Sequence, residues 1–163
     1  AGDPIAAAFP RPPQVIAARH AAGAQCLVAT VKERFAGYLW LQRDRYEEDE
    51  VRCSYVLAEP QRCVWDFDVY VEPAFRNGRT MARLWQAANE RLLAEGVRWS
   101  CSRISTFNAG SLAAHRRLGA TPLAHALFVV LGPLQLALLS GAPFVHISLT
   151  PSQRPRVTLR PPV

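Results

Sequence analysis

Cysteine is scarce in this sequence and nowhere clustered. Each of the four cysteines stands alone inside an apolar, strand-like stretch, at Cys26, Cys53, Cys63 and Cys101. None belongs to a Cys-x-x-Cys pair or to a Cys/His group with the spacing of a zinc site, so we expect no bound metal. Lone cysteines in such stretches are typical of small buried side chains in a reducing compartment, which predicts a cytoplasmic protein.

Long apolar runs and runs of basic residues are lacking as well. The most apolar segment, residues 126–139, is shorter than a bilayer span and contains Gly132-Pro133, so we expect no membrane-spanning helix. The arginines stand singly or in pairs such as Arg116-Arg117, so we expect no nucleic-acid partner. The net charge of +6 nevertheless favours an anionic partner such as a phosphate-rich cofactor.

The sequence is long enough to form one hydrophobic core. Its 163 residues, half of them hydrophobic, predict a single domain over residues 1–163. Proline is abundant, and most of the 13 prolines gather near the two ends. Because proline cannot donate a backbone hydrogen bond, we expect extended arms at 1–13 and 151–163.

Hydrophobic periodicity predicts an alternation of strands and helices. Residues 64–71 alternate strictly, with Trp65, Phe67, Val69 and Val71 on one face and Asp66, Asp68 and Tyr70 on the other. Residues 78–95 carry an apolar stripe at helical spacing, which is formed by Met81, Leu84, Trp85, Ala88 and Leu92. The other predicted elements are helices at 14–22 and 108–119 and strands at 25–31, 35–42, 51–57, 97–105 and 124–131. The acidic run at 47–50 predicts a solvated turn. This order favours an α/β or α+β fold with helices packed on a sheet.

The junction after the strand at 64–71 is the first candidate site. The strand ends at Val71, a short loop follows over residues 73–79, and a helix starts at once. The first backbone N–H groups of a helix have no helical acceptor and carry partial positive charge, so they favour an anion. Arg76 and Arg79 flank this point and can add charge-assisted bonds to phosphate. The alternative is an ordinary turn with solvated arginines.

Two segments around this junction resemble the motifs of one enzyme family. Residues 69–78 resemble the GNAT (GCN5-related N-acetyltransferase) signature, in which a strand ending in V-x-P precedes an aromatic residue, an arginine and a glycine-rich turn. Downstream, Asn108, Ser111, His115 and Gly119 resemble the second family pattern, N-x-x-A/S-x-x-x-Y-x-x-x-G. The resemblance spans residues 14–132. It implies a mixed, mostly antiparallel central sheet flanked by helices.

The sequence departs from the family pattern in three places. Arg79 and Met81 occupy the usual glycine positions of the pyrophosphate loop, and Gly78 is displaced by one residue. His115 replaces the tyrosine that often protonates the leaving thiolate. There is no room before Gln14 for the usual first strand and first helix, so we expect a shortened version of the fold.

The resemblance implies a binding site for acetyl-CoA or another acyl-CoA as co-substrate. Its residues, carried over from the two motifs, are Val69, Val71, Arg76, Asn77, Gly78, Arg79, Thr80, Met81, Asn108 and Ser111. The pantetheine arm would lie beside the end of the strand at 69–71. Independently of the family, the helical repeat of 100° per residue places Asn108, Ser111 and His115 on one face.

Three titratable residues are candidates for the chemistry, and one arginine for the acceptor. His115 is expected to protonate the thiolate or to act through water, and Asp66 or Asp68 to act as the base. Each carboxylate also has the alternative of a surface or ion-paired role. Arg103 is expected to recognise an anionic group on the acceptor, or else to pair with Asp66 or Asp68.

The predicted function is acyl transfer from an acyl-CoA, with acetyl as the expected group, to the amine of an unidentified acceptor. Two alternatives stay open. One is transfer of a longer acyl chain from CoA or from acyl carrier protein, which the apolar segment near 128–139 suggests. The other is a non-catalytic acyl-CoA-binding or protein-interaction module, which the replaced tyrosine and glycines suggest. The expected partners are therefore acyl-CoA and an amine, with acyl carrier protein and a homodimer as further options.

Overall fold

The computed structural model describes residues 4–162, and its contacts divide the chain into two compact units. The first unit comprises residues 4–43 and 61–101, and the second comprises residues 44–60 and 102–162. The prediction of a single domain stays a prediction, because compact units and folding domains need not coincide.

The described part of the chain forms three α-helices and ten β-strands. In chain order they are α1 (Pro13–Ala21), β1 (Gln25–Val31), β2 (Arg34–Gln42), β3 (Arg45–Glu47), β4 (Ser54–Leu57), β5 (Cys63–Val71), α2 (Thr80–Ala94), β6 (Trp99–Cys101), α3 (Ala109–Arg117), β7 (Ala126–Leu131), β8 (Leu134–Leu139), β9 (Val145–Ser148) and β10 (Arg156–Leu159). Short 3-10 turns lie at Pro4–Ala8 and Pro73–Phe75. The predicted α/β fold with mostly antiparallel pairing is confirmed.

The local signals in the sequence place most elements of the fold correctly. Helices α2 and α3 end at Gly96 and Gly119, whose positive φ values of 80° and 84° glycine tolerates without strain. The strand predicted at 97–105 is wrong in length, since β6 ends at Cys101, opposite Trp65. Strands β8 and β9 were not predicted: β8 is a mostly apolar run that does not distinguish strand from helix, and β9 has only four residues.

The first unit is built on one sheet with strand order β1-β2-β5-β6. The first three strands are antiparallel, and β6 runs parallel to β5 because helix α2 carries the chain back between them. The predicted stripe of α2 packs on one face of this sheet. The core there is formed by Leu39, Leu41, Val64, Trp85, Ala88, Leu92 and Val97.

Helix α1 and the preceding 3-10 turn cover the opposite face of the same sheet. Phe9 and Ile16 are buried there against Tyr38 and Trp40 of β2. The ring centroids of Phe9 and Tyr38 lie 4.7 Å apart, within the range of favourable aromatic pairs. The sheet of the first unit is thus the middle layer of a three-layer arrangement.

A β-bulge in β5 interrupts the alternation that the sequence predicted. Tyr38 pairs with Tyr70, but Trp40 pairs with Phe67, so β5 has one residue more than β2 over this stretch. Asp68 lies within it and has a positive φ of 46°. Val69 therefore packs on the α2 side of the sheet, whereas Phe67 and Tyr70 both pack on the α1 side. The expectation that Phe67 and Val69 share a face is wrong.

The second unit contains two smaller sheets and helix α3. Their strand orders are β10-β4-β3 and β7-β8-β9. Strand β10 runs parallel to β4, with Val157 opposite Tyr55. Part of the predicted C-terminal arm is therefore a paired strand, because its non-proline residues 156–159 donate to a neighbour. In the N-terminal arm, residues 4–8 form a 3-10 turn. Residues 1–3 and 163 lie outside the described residues.

Replacing Gly37 with alanine tests the close approach of β2 to β5. A methyl group on Gly37 would overlap the carbonyl oxygen of Tyr70 and lie 3.2 Å from the Cα of Val71, and neither backbone atom can rotate away. We expect the free energy of unfolding, measured by urea denaturation, to fall by about 1–3 kcal/mol.

The matched control for this variant is Gly110→Ala in α3. The nearest atom to a methyl group at Gly110 lies 3.8 Å away, and alanine is the better helix former. We expect this control to be at least as stable as the wild type. A Gly37→Ala protein of unchanged stability would show that β2 and β5 are not held this close.

Candidate functional site

The strand–turn–helix junction of the first unit presents an open helix N-terminus. Strand β5 ends at Val71, and α2 begins at Thr80. The N-cap residue, Arg79, makes no capping hydrogen bond with its side chain. The first-turn N–H groups have no acceptor inside the helix, and the helix dipole adds partial positive charge. This end of α2 is therefore suited to an anionic group.

Arginines surround this helix end. The Nε of Arg76 donates to the carbonyl oxygen of Val71 at 3.0 Å, and its guanidinium lies 6.0 Å from the ring centroid of Tyr70. Arg79 and Arg83 are exposed and lie four residues apart, hence on one face of α2. Asn77 and Gly78 are also exposed. The predicted loop therefore gathers positive charge at the point where α2 begins.

Thr80 and Met81 turn their side chains away from this surface. Thr80 is 7% exposed, and Met81 packs against the core between α2 and the sheet. Only their backbone N–H groups face the helix end. The methionine at a usual glycine position is therefore accommodated by pointing into the core.

Beside this helix end, β5 continues past the end of its neighbour β6. Strand β6 pairs with β5 only from Cys63 to Trp65, whereas β5 extends to Val71. Strand β2 pairs with residues 70 and 71 on one side. On the side that β6 occupies, the described part of the sheet has no strand beside residues 69–71. Val69 and Val71 are half-buried there. An extended ligand can lie along this edge as an additional strand does.

The bulge separates the two candidate carboxylates. Asp66 lies two residues from Val64, which packs on the α2 side, whereas Asp68 accepts a hydrogen bond from Tyr38 on the α1 side. The expectation that they share a strand face is wrong. Asp66 is 3% exposed and accepts a hydrogen bond from the Oγ of Ser100 at 2.6 Å.

Asp68 is the centre of an ion-pair cluster. It binds the guanidinium groups of Arg11 and Arg19, the latter at 2.5 Å, and the hydroxyl of Tyr38 donates to it at 3.0 Å. Burial opposes the charged form, but the hydrogen bonds from the two arginines outweigh it, and the pKa of Asp68 is lowered. Such a carboxylate is a poor proton acceptor near neutral pH. The ion-paired alternative for Asp68 is confirmed.

Arg19 is held in place by aromatic rings as well as by Asp68. Its guanidinium carbon lies 5.2 Å from the ring centroid of Trp40 and 5.1 Å from that of Phe67. Burial raises the pKa of Tyr38, and the charge of Asp68 adds to this, so the hydroxyl keeps its proton and donates. Sequence reasoning missed Arg11, Arg19 and Tyr38, because no motif links them to the bulge.

In the second unit, α3 carries the other motif. The Oδ1 of Asn108 accepts a hydrogen bond from the backbone N–H of Ser111 at 3.0 Å, which confirms the predicted N-cap. The Nδ1 of His115 lies 2.8 Å from the carbonyl oxygen of Ser111 and 3.4 Å from its Oγ. A carbonyl oxygen only accepts, so Nδ1 carries a proton. In the neutral ring Nε2 is then the basic nitrogen.

Arg103 is engaged with the acidic run rather than with the strand carboxylates. Its Nη1 lies 2.8 Å from Glu50 and 3.3 Å from Glu48. The expected pairing with Asp66 or Asp68 is wrong. The solvated turn predicted at 47–50 is wrong for Glu48, which is 7% exposed and accepts the N–H groups of the next two residues. The positive charge of Arg103 is therefore already balanced by two carboxylates of its own unit.

The cysteines offer no reactive thiolate. Cys53 and Cys63 are buried, and Cys26 and Cys101 are half-buried. Burial raises the pKa of Cys26 to about 12 and those of Cys53 and Cys101 to about 11, so these thiols stay protonated near neutral pH. Within residues 4–162 the structure brings together no group of three His, Cys, Asp or Glu side chains able to hold a metal ion.

Within residues 4–162, no helix combines the length and the apolar character that crossing a bilayer requires.

The N-terminus of α2 with its nearby arginines, next to a strand edge that can receive an extended ligand, is suited to a ligand that has both an anionic group and a long arm. Residues 4–120, more than half of the chain, match the family described as "Acetyltransferase (GNAT) family". The chain belongs to this family, and its activity is therefore that of an acyltransferase. The family uses acetyl-CoA as its co-substrate.

Solved structures share the fold at low sequence identity. A mutant of the BH1408 protein from Bacillus halodurans has a TM-score of 0.57 at 17% identity, with 74% of each chain covered. A transcriptional regulator from Bacillus halodurans C-125 has a TM-score of 0.56 at 17% identity, with 75% of this chain and 78% of that chain covered. The aminoglycoside N-acetyltransferase AAC(6')-Iy in complex with CoA has a TM-score of 0.55 at 17% identity, over 72% of this chain and 86% of that chain. Comparison with curated proteins gave no match.

Neutralising Asp68 tests the ion-pair cluster at the bulge. We expect Asp68→Asn to lower the free energy of unfolding at pH 7 by about 2–3 kcal/mol, because two arginines in a half-buried site lose the negative charge and one of the two acceptor oxygens that they share. Since the folded-state pKa of Asp68 lies below its usual value of 3.8, the wild-type advantage is complete above about pH 4. It disappears as the pH falls through the lower, folded-state pKa.

The measurement is urea denaturation of wild type and variant between pH 7 and pH 2. Glu33→Gln removes an exposed carboxylate from the same unit and serves as the control, with an expected change within about 0.5 kcal/mol. A stability difference that grew on acidification would contradict the lowered pKa.

Proposed function

We propose that the protein transfers an acetyl group from acetyl-CoA to the amine of a small-molecule or peptide acceptor. The observation that carries the proposal is the juxtaposition, within one unit, of the open N-terminus of α2, its arginines, and the β5 edge at 69–71. Acetyl-CoA has the matching parts, namely a pyrophosphate and a long arm of amides that ends in the thioester.

The pyrophosphate is proposed to bind the first-turn N–H groups of α2. Arg79 and Arg83 lie on one exposed face of that helix, and Arg76 braces the end of β5. Charge-assisted bonds from guanidinium to phosphate supplement the main-chain donors. The backbone N–H of Met81 takes part without any need for glycine, because its side chain points into the core.

The pantetheine arm is proposed to lie along β5 beyond the end of β6. Its amides would pair with the strand backbone, as a further strand would. A backbone N–H near Val69 would then polarise the thioester carbonyl and stabilise the oxyanion that forms when the amine attacks. The bulge at Asp68 matters here because it turns Val69 toward the α2 side of the sheet.

In the reaction, the neutral amine attacks the thioester carbon, a C–N bond forms, and the C–S bond breaks. The amine loses one proton, and the leaving thiolate gains one. We propose that His115 takes the proton from the amine or gives one to the thiolate. Its Nδ1–H donates to the carbonyl oxygen of Ser111, which leaves Nε2 for the proton transfer. Asp68 is assigned a positioning role in place of the base role, because its arginine partners stabilise the charged form.

The two alternatives receive less support. The apolar segment near 128–139 forms the hairpin of β7 and β8, an open sheet surface that does not surround a long acyl chain. A non-catalytic module is disfavoured by the family match. Transfer from acyl carrier protein would be recognised by a preference for that donor over acetyl-CoA.

Binding of acetyl-CoA tests the donor site directly. We expect acetyl-CoA to raise the melting temperature of the wild type, and Arg79→Ala to raise its Kd about tenfold, which corresponds to roughly 1.4 kcal/mol for one lost charge-assisted bond. The Kd is measured by isothermal titration calorimetry. Arg98→Ala, which removes an exposed arginine elsewhere in the same unit, is the matched control and should leave the Kd unchanged. Equal affinities of both variants would exclude this site.

Replacing His115 tests its place in the reaction. We expect His115→Asn to lower kcat about 100-fold, because the amide can still donate to the carbonyl of Ser111 but cannot exchange a proton at neutral pH. The Kd for acetyl-CoA should stay the same. Turnover is measured as release of free CoA thiol across a panel of amines, with His125→Asn as the control for an exposed histidine. Unchanged kcat in the His115 variant would remove this residue from the mechanism.

A further inference from the structure

The sheet β7-β8-β9 of the second unit has one face made entirely of aliphatic side chains. Residues directly opposite each other in antiparallel strands share a face, and the register gives five such pairs. The eight residues of this aliphatic face are Leu127, Val129, Leu131, Leu134, Leu136, Leu138, Val145 and Ile147.

Most of the aliphatic face is exposed to solvent. The exposed fractions of the side chains at its edges are 56% for Leu127, 66% for Leu131, 57% for Val145 and 60% for Ile147. The eight side chains together leave roughly 600 Å² of apolar surface in water, which is at the top of the range for the largest patch on a monomer. A patch of this size indicates a binding surface.

On the opposite face of the same sheet, residues of β8 and β9 face the interior of the unit, whereas Val130 of β7 is 52% exposed. Gln135 is 1% exposed, and its side chain exchanges two hydrogen bonds of 2.7 Å with the backbone of Arg52. Ala137 and Ser148 are fully buried on this side. The sheet is therefore fixed to the unit by one face, and the aliphatic face is left for a partner.

The chemistry of the aliphatic face restricts that partner. It carries no charge and no hydrogen-bonding side chain, so it has nothing with which to recognise an amine, a phosphate or a charged peptide. It is an open sheet surface, whereas small ligands are held in concave pockets. An anionic membrane would be met by cationic side chains among the apolar ones, and the face has none.

We infer that the aliphatic face is the interface of a homodimer, in which it packs against the same face of a second copy. A uniformly aliphatic surface is complementary to itself, as a two-fold interface requires. Each copy has a net charge of +6, and packing through an uncharged face keeps those like charges out of the contact. Two copies remove roughly 1,200 Å² from water, which reaches the lower bound of stable interfaces.

The expected geometry is that of two sheets packed face to face. Such sheets lie about 10 Å apart, with strand directions within about 30° of each other. Strand β8 is central in the sheet, so Leu136 of each copy lies near the two-fold axis. Exposed Leu149, just beyond β9, extends the contact. This inference is independent of the proposed acetyl transfer.

The test is the mass of the full chain in solution, measured by sedimentation equilibrium from 1 to 100 µM. We expect the wild type to have twice the mass of one 18.1 kDa chain and Ile147→Lys to be monomeric, with a dimer Kd raised at least 100-fold. Leu93→Lys, which places the same charge at a leucine on α2 that is 59% exposed, is the matched control and should stay dimeric.

Several results would contradict the homodimer, and one further result would support it. A wild type that is monomeric at 100 µM overturns it, as does a dimer that persists in both Ile147→Lys and Leu127→Lys. A wild type that is monomeric but binds vesicles containing phosphatidylserine points to a membrane instead. If Ile147→Lys fails to fold, by circular dichroism, Leu127→Lys on the other edge strand replaces it. A folded, monomeric Leu127→Lys supports the dimer.

Discussion

The first unit depends on one carboxylate that stabilises an extra residue in the middle of a strand. An additional residue in β5 forces Asp68 into a positive φ, and Asp68 keeps this conformation while bonded to Arg11, Arg19 and Tyr38. The cluster joins the N-terminal segment, helix α1 and strand β2 to the bulge. The bulge in turn sets which side chains face α2 and which face α1. The positions of Val69 and of the strand edge beside α2 thus follow from an interaction on the opposite side of the sheet.

Local chemistry made much of this fold predictable from the sequence. Helix ends were marked by Asn108, Gly96 and Gly119, and the strand–loop–helix junction by alternation that changes to helical spacing. What could not be predicted is non-local. The bulge does not alter the alternation of residue types at 64–71 in the sequence. It does reverse which face of the sheet the residues after Phe67 occupy. Along the chain, Arg11 and Arg19 lie 57 and 49 residues from Asp68, and Glu50 lies 53 residues from Arg103, separations that no periodicity reveals.

The candidate residues divide according to what their surroundings allow. The sequence alone does not distinguish Asp66 from Asp68. In the structure, Asp68 is stabilised in its charged form, whereas Asp66 is buried beside Ser100. Arg103 is similarly occupied by Glu48 and Glu50. His115 differs, because the hydrogen bond from its Nδ1 to the carbonyl oxygen of Ser111 orders the ring and places the proton of the neutral ring on Nδ1. These surroundings support the proposal that the imidazole of His115, and neither carboxylate, transfers protons.

Met81 links the anion site to the hydrophobic core. Its backbone lies in the first turn of α2, and its side chain packs against the core cluster that includes Leu39 and Val64 of the sheet and Trp85 of α2. A phosphate bound at that turn is held by a backbone that the core itself fixes in place. Binding of the cofactor at the proposed site would therefore be coupled to the packing of α2 on its sheet. A remote core substitution that loosens α2 would weaken that binding, and the bound cofactor would in return stabilise the core.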